Sequence, residues 1–168
     1  MDASMLLIGK FACLLGCYLG GIVGGVFLHE LGHALAALVA TRQRLELEVG
    51  SAGGRWSFSL GRLWISARSR GLFYGVTRYD RGSVSRMRQT LVALGGPLAS
   101  LAACLGFGWL TTQEVVGSWA WIVFLGLTVA NFRILIVAVW PMEYRPNGPD
   151  GEVWLSDGLD VWRMWRGK

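Results

Sequence analysis

Apolar residues in this chain are gathered into three long blocks rather than spread at helical or strand period. The first runs from Leu6 to Ala40, interrupted by Lys10 and by the run His29-Glu30-Leu31-Gly32-His33. The second runs from Leu91 to Leu110 and the third from Trp119 to Trp140. A hydrocarbon core takes about 20 apolar residues to cross, so the pattern predicts spans near 6–40, 91–110 and 119–140. At ~1.5 Å per residue the first block reaches ~50 Å. It is either one tilted helix or a helix broken near Gly20-Gly21 or Gly24-Gly25. Met1-Asp2-Ala3-Ser4 lacks a basic start, and the run far exceeds the roughly 7–15 apolar residues of a secretory leader, which argues against a cleaved signal.

Between the first two blocks the pattern changes to alternation. Leu45-Glu46-Leu47-Glu48-Val49 and Trp56-Ser57-Phe58-Ser59-Leu60 read as strands, with Gly53-Gly54 as the turn between them, and Arg62 to Ala67 as a further strand. Ser83 is a candidate cap for a short basic helix leading into the second span. After Pro141 the tail is rich in Pro, Gly and Asp, then ends in an amphipathic segment, Leu159 to Arg166. The expected fold class is an all-α transmembrane bundle of about three core spans with a small cytoplasmic β-sheet inserted after the first. It forms one unit over 1–168, with the insert at 41–88 and the tail at 141–168.

Composition narrows this further. Hydrophobic residues make up 53% of the chain and charged ones 16%, which excludes a disordered chain and an ordinary soluble enzyme. The net charge of +5 comes from one place: Thr41 to Arg88 holds ten arginines against Glu46, Glu48 and Asp80, a local +7. The connection 111–118 has no basic residue and one acid, Glu114. The positive-inside rule therefore places 41–88 in the cytoplasm and 111–118 outside. Topology accounts for the arginines, so no nucleic-acid partner is implied; the bilayer is the expected surroundings. Trp109, Trp119 and Trp121 on one side and Trp140 on the other fit interfacial belts.

Both histidines of the chain fall within five residues, His29 and His33, inside the first apolar block. Four apart on a helix, they share a face and can reach one zinc ion. Glu30 sits at the edge of that face, where it can take a proton from an attacking water instead of ligating the metal. Ionisable groups within a span are costly and therefore point to function. A catalytic zinc takes three protein ligands. Cys17 lies ~18 Å from His29 along a continuous helix, and Cys13, Cys17 and Cys104 read as small packing residues. A carboxylate from the tail is the better third ligand: Glu143, Asp150, Glu152, Asp157 or Asp160.

His29-Glu30-Leu31-Gly32-His33-Ala34-Leu35-Ala36-Ala37 resembles the first signature of the site-2 protease family of intramembrane zinc metalloproteases. Gly95-Gly96-Pro97-Leu98-Ala99-Ser100 looks like that family's glycine-proline motif opening the next core helix, and Ser156-Asp157-Gly158 looks like its aspartate-glycine motif. Their order, with a strand-rich insert after the first, matches over residues 20–165. The resemblance implies Zn2+ held by His29, His33 and Asp157, with Glu30 as general base; Asp150-Gly151 is the rival third ligand, and Asp157 is preferred. Two departures stand out. The family's Asn-x-x-Pro element is missing, since Ala138-Val139-Trp140 precede Pro141, so either Asn131 takes its substrate-positioning role or that role is filled differently. Ser100 stands where the family often has asparagine. Arg133, roughly mid-span, either snorkels toward the cytoplasmic face or pairs with a carboxylate near the metal, and the first reading is preferred.

The function this implies is a zinc-dependent intramembrane endopeptidase acting within or near the span of a single-span membrane protein. The chain would be an integral, multi-pass protein of a prokaryotic cell membrane with its site toward the cytoplasm. An unwound substrate would add as a strand to Leu45–Val49 or Trp56–Leu60. The 168 residues leave no room for PDZ or CBS domains, and they assign no oligomeric state. The alternatives are a membrane protein that binds or transports zinc without cleavage, or a silent homologue acting as an adaptor. Neither gives Glu30 a reason to stand between intact histidines.

Overall fold

A computed structural model describes residues 2–144 and 153–166. Three helices long and apolar enough to cross a bilayer make this a multi-pass membrane protein: α1 (Ala3–Ala40), α2 (Arg86–Gln113) and α3 (Trp119–Val139). A tail helix, α4 (Asp157–Arg166), follows. The C-terminal end of α1, the start of α2 and the end of α3 share one side of the bundle.

The first block forms one continuous helix, so the paired glycines do not break it. They serve close packing. A Cβ on Gly21 would lie 2.9 Å from the Ala130 side chain, and one on Gly25 would lie 2.5 Å from Ile134. Without side chains at these positions, α1 and α3 approach backbone to backbone, the usual means of helix association where lipid removes the hydrophobic drive. Cys17 packs against Gly126 in the same interface, in keeping with its reading as a packing residue.

Two boundaries differ from expectation. The basic run Arg86–Arg88 is no separate helix capped by Ser83; it is the first turn of α2, with Ser85 at the cap position. Ser83 instead accepts from Gln43. The glycine-proline motif therefore lies within α2, not at its opening. Pro97 has no N–H to give the carbonyl four residues back, yet α2 continues through it, and just before it Gly32 and Gly95 bring α1 and α2 into backbone contact.

The insert is a four-stranded sheet of β1 (Leu45–Val49), β2 (Ala52–Leu60), β3 (Leu63–Arg70) and β4 (Gly75–Arg78), in the order β2-β3-β1-β4. β1 runs parallel to β3 and antiparallel to β4. Gly53-Gly54 is not a turn. It lies inside β2, where the register against β3 shifts between Ala52 and Arg55, a bulge with Gly53 at φ 89°. The chain reverses instead at Gly61, whose φ of 60° suits glycine. Leu45, Leu47, Val49 and Leu63 pack on Ala34, Ala37 and Val92, so the sheet lies against the second half of α1. Arg62 donates to the Leu38 and Thr41 carbonyls, satisfying the free end of α1.

One of the two strand-addition sites expected from sequence is corrected by this order. β1 is interior, flanked by β3 and β4, and has no edge to offer. β2 is an edge, but the one farthest from α1's histidines. The edge that reaches them is β4, which the sequence pattern did not reveal because four residues, Gly75-Val76-Thr77-Arg78, carry too little alternation.

Glu48 ties the sheet together. It is buried on β1 and accepts from Arg68 of β3 at 2.5 Å and from Arg78 of β4 at 2.7 Å. These bonds, Arg68's first, hold its carboxyl below the ordinary range. A carboxylate with a depressed folded pKa contributes stability above its unfolded value of about 4.3, lost as pH falls through the folded value. Glu48→Gln is expected to lose about 1–3 kcal/mol at pH 7 and to show a shallower loss of thermal stability between about pH 5 and 3 than the parent. Parallel acid profiles for the two proteins would remove this role.

Candidate metal centre

One cavity of about 800 Å³ is walled by α1, β4, α3 and the tail. α1 supplies His29, Glu30 and His33, all buried, eleven, ten and seven residues before its last residue, Ala40. At 1.5 Å per residue that sets them ~10–16 Å below that end. α4 supplies Asp157 at its first position.

The tail is held so that Asp157 points at the histidines. Ser156 donates its backbone N–H to the Met142 carbonyl, and its hydroxyl accepts from the N–H groups of Met142 and Leu159. A short antiparallel pair, β5 (Glu143–Tyr144) and β6 (Trp154–Leu155), closes the loop. Gly158 sits against the end of α3, where a Cβ would fall 2.0 Å from the Val139 carbonyl oxygen. This is why glycine follows the aspartate. Farther along α4, Asp160 pairs with Arg81 at 2.6 Å and Trp165 donates to Thr90 at 3.1 Å.

Three donor atoms converge. His29 Nε2 and His33 Nε2 are 3.1 Å apart, and Asp157 Oδ2 and Oδ1 lie 3.0 Å and 3.3 Å from them respectively. Bonds of ~2.0–2.1 Å at tetrahedral angles require ligand separations of ~3.3 Å, so the triangle fits a zinc-sized cation. The outer nitrogens agree. The Val92 carbonyl, 2.7 Å from His33 Nδ1, and the Gly96 N–H, 3.3 Å from it, hold the ring in place; a proton on Nδ1 given to the closer carbonyl leaves Nε2 free to bind a cation. His29 Nδ1 has Ser100 Oγ at 2.9 Å. Ser100 thus orients a ring. Two imidazole nitrogens and a carboxylate facing one another at these distances are a donor set for a cation.

Gly96 shapes the floor of this site: a Cβ there would come within 2.3 Å of His33 Nε2 and 2.7 Å of His29 Nε2. Glu30 is directed to the opposite wall. Its Oε2 accepts from the Thr77 hydroxyl at 2.8 Å, and Gly75 of β4 packs against its Cγ. It is outside the three-ligand cluster but lines the same cavity. Partial burial and the neighbouring Asp157 and Glu30 carboxylates push the Tyr144 phenol above its usual range, so it faces the cavity as a neutral hydroxyl.

Of the other tail carboxylates weighed as ligands, Glu143 pairs with Arg163 and Asp160 with Arg81, while Asp150 and Glu152 lie outside the described residues. Asn131 does not line the cavity. It is 1% exposed, donates to the Leu127 carbonyl and faces Gly25 between α1 and α3. Buried there, it cannot position a substrate. Sequence reasoning missed Thr77 and β4 altogether, and their only signal was Gly75, conspicuous once Glu30 is seen against it.

A family model described as peptidase M50B-like matches residues 18–141, taking in both histidines, the insert and the glycine-proline motif. The match stops short of Asp157, whose place rests on the geometry above. A comparison with curated proteins finds no match.

Proposed function

The chain belongs to the peptidase M50B-like family, and from that membership we propose that it is a zinc-dependent intramembrane endopeptidase. Its substrates are single-span membrane proteins, cut within or beside the span. The observation that carries this reading is the convergence of His29, His33 and Asp157 at zinc spacing, inside a membrane helix, on a cavity that also holds Glu30.

When bound, zinc supplies Lewis-acid polarisation of the scissile carbonyl and makes a water molecule acidic enough to attack near neutral pH. The chain does the rest. Glu30 takes the proton of the attacking water and returns it to the leaving amine. Thr77 holds the glutamate side chain toward the cavity. The arginine-rich sheet marks the cytoplasmic side, so water and substrate enter there, beside β4.

A helical substrate must unwind first, because its own hydrogen bonds shield its carbonyls. Among the described residues β4 pairs with β1 and no strand covers its other edge, and its residues line the cavity. A substrate strand added to that edge would lie along the site. Consecutive residues of a strand turn their N–H groups to opposite edges, so proline at Val76 and proline at Thr77 disturb different edges. With Thr77→Ala as the control for the lost hydroxyl, one proline is expected to impair cleavage beyond its control with zinc content intact; equal effects from both would count against strand addition.

The test of the activity itself is a panel of single-span reporters reconstituted with the purified protein in liposomes. Cleavage is expected to stop on chelation and to return with added zinc. Zinc binding or zinc flux without cut products from any reporter would favour the transport reading instead.

A further inference from the structure

The wall contributed by α3 carries a cation that this chemistry does not use. Arg133 lies seven residues before the helix's C-cap, Trp140, so its backbone is ~10 Å inside the span. It lines the cavity together with Ile134, Val137 and Ala138, all apolar. The other arginines lining the cavity are engaged: Arg78 by Glu48 and Arg81 by Asp160. Arg133 is exposed and, among the described residues, makes no hydrogen bond or ion pair. The carboxylates that line the cavity are engaged as well, Glu30 by Thr77, Asp157 by the imidazoles and Asp160 by Arg81. The ion pair weighed from sequence is not formed, since no described carboxylate pairs with Arg133, and the side chain borders the cavity.

A guanidinium at this depth is costly and calls for a partner. Within the walls described here, that partner has to arrive from outside. A carboxylate suits it, since the planar fork donates to two oxygens at once and the apolar surroundings strengthen the pair. We propose that Arg133 anchors the substrate by pairing with an Asp or Glu side chain in the segment that enters the cavity, so that the protein selects spans carrying an acid near the scissile bond. This deepens the endopeptidase reading and rests on it. Substrate then lies between two walls, the β4 edge holding its backbone and Arg133 holding one side chain.

The test reads binding, not turnover. Synthetic apolar spans of ~20 residues, carrying a single Glu or Gln moved stepwise along the span, are titrated into liposomes holding the zinc-loaded Glu30→Gln variant. At one or two registers the Glu peptide is expected to bind at least ~10-fold tighter than its Gln twin, as a desolvated charge pair would give. Adding Arg133→Gln should abolish the difference and Arg133→Lys should keep part of it. Arg133→Glu should reverse the preference toward a Lys peptide. Zinc content and thermal unfolding of each variant serve as the folding check. Equal binding of the Glu and Gln peptides at every register would overturn the proposal and point to lipid phosphate as the partner of Arg133. A Glu preference that survives Arg133→Gln would overturn it too. A Glu preference here, with none of the same peptides cut by the zinc-loaded parent protein whose Glu30 is intact, would leave the anchor standing and overturn the peptidase reading alone.

Discussion

Replacing Glu30 with glutamine is expected to lower the cleavage rate by ~10²–10⁴-fold, the range a positioned general base contributes, while zinc content stays unchanged. Glutamine is nearly isosteric and can still accept from Thr77, so the contacts with β4 survive. What it loses is the ability to take a proton. The three donor atoms of the cluster come from His29, His33 and Asp157, so the metal should be retained. Zinc assay and reporter cleavage on the same preparation separate the two effects. Cleavage surviving at more than a tenth of the parent rate would remove Glu30 from the role of base, and a parallel loss of zinc would make it a ligand.

Asp157→Ala should weaken zinc binding more than ~100-fold, beyond the 10–100-fold typical when only an orienting partner is lost. Only the two histidines of α1 would remain, four residues apart on one helix. Gly158→Val should reach the same result without touching a ligand, because its side chain would be driven into the Val139 carbonyl and displace the tail. Competition with a zinc indicator dye measures both. A protein that holds zinc with unaltered affinity after Asp157→Ala would return the third-ligand role to Asp150 or Glu152. The contrast with Glu30→Gln is the sharper result: one variant is expected to lose turnover and keep metal, the other to lose metal and turnover together.

The glycines show how much of the packing a sequence conceals. Gly20-Gly21 and Gly24-Gly25 left a break in the first block open, because glycine disfavours helix locally. In the fold Gly21 and Gly25 are contact points with α3, and α1 runs through them. The same holds for Gly53-Gly54, a turn by composition and a bulge by pairing. Local propensity is a statement about one segment, and both outcomes were decided by the neighbouring one.

The amino-acid sequence by itself determined where the chain crosses lipid, that a sheet interrupts the helices, and that His29 and His33 share a face with Glu30 beside it. Each of these is a local property. Apolar length records the solvent an element meets, alternation records a half-buried strand, and a four-residue spacing is set by the helical repeat. The family resemblance preferred Asp157 among the tail carboxylates, but only the tertiary structure brings it, 128 residues from His29, to the two imidazoles; spacing alone ranks it no higher than its rivals. The Ser156 cap and the glycine pressed on Val139 bring it in. The same is true of β4 as the edge at the site, of Thr77 on Glu30, of Ser100 on His29, and of Asn131 withdrawn from the cavity while Arg133 borders it. These are pairings across the fold, and their energies depend on what the rest of the chain leaves unpaired, buried or within reach.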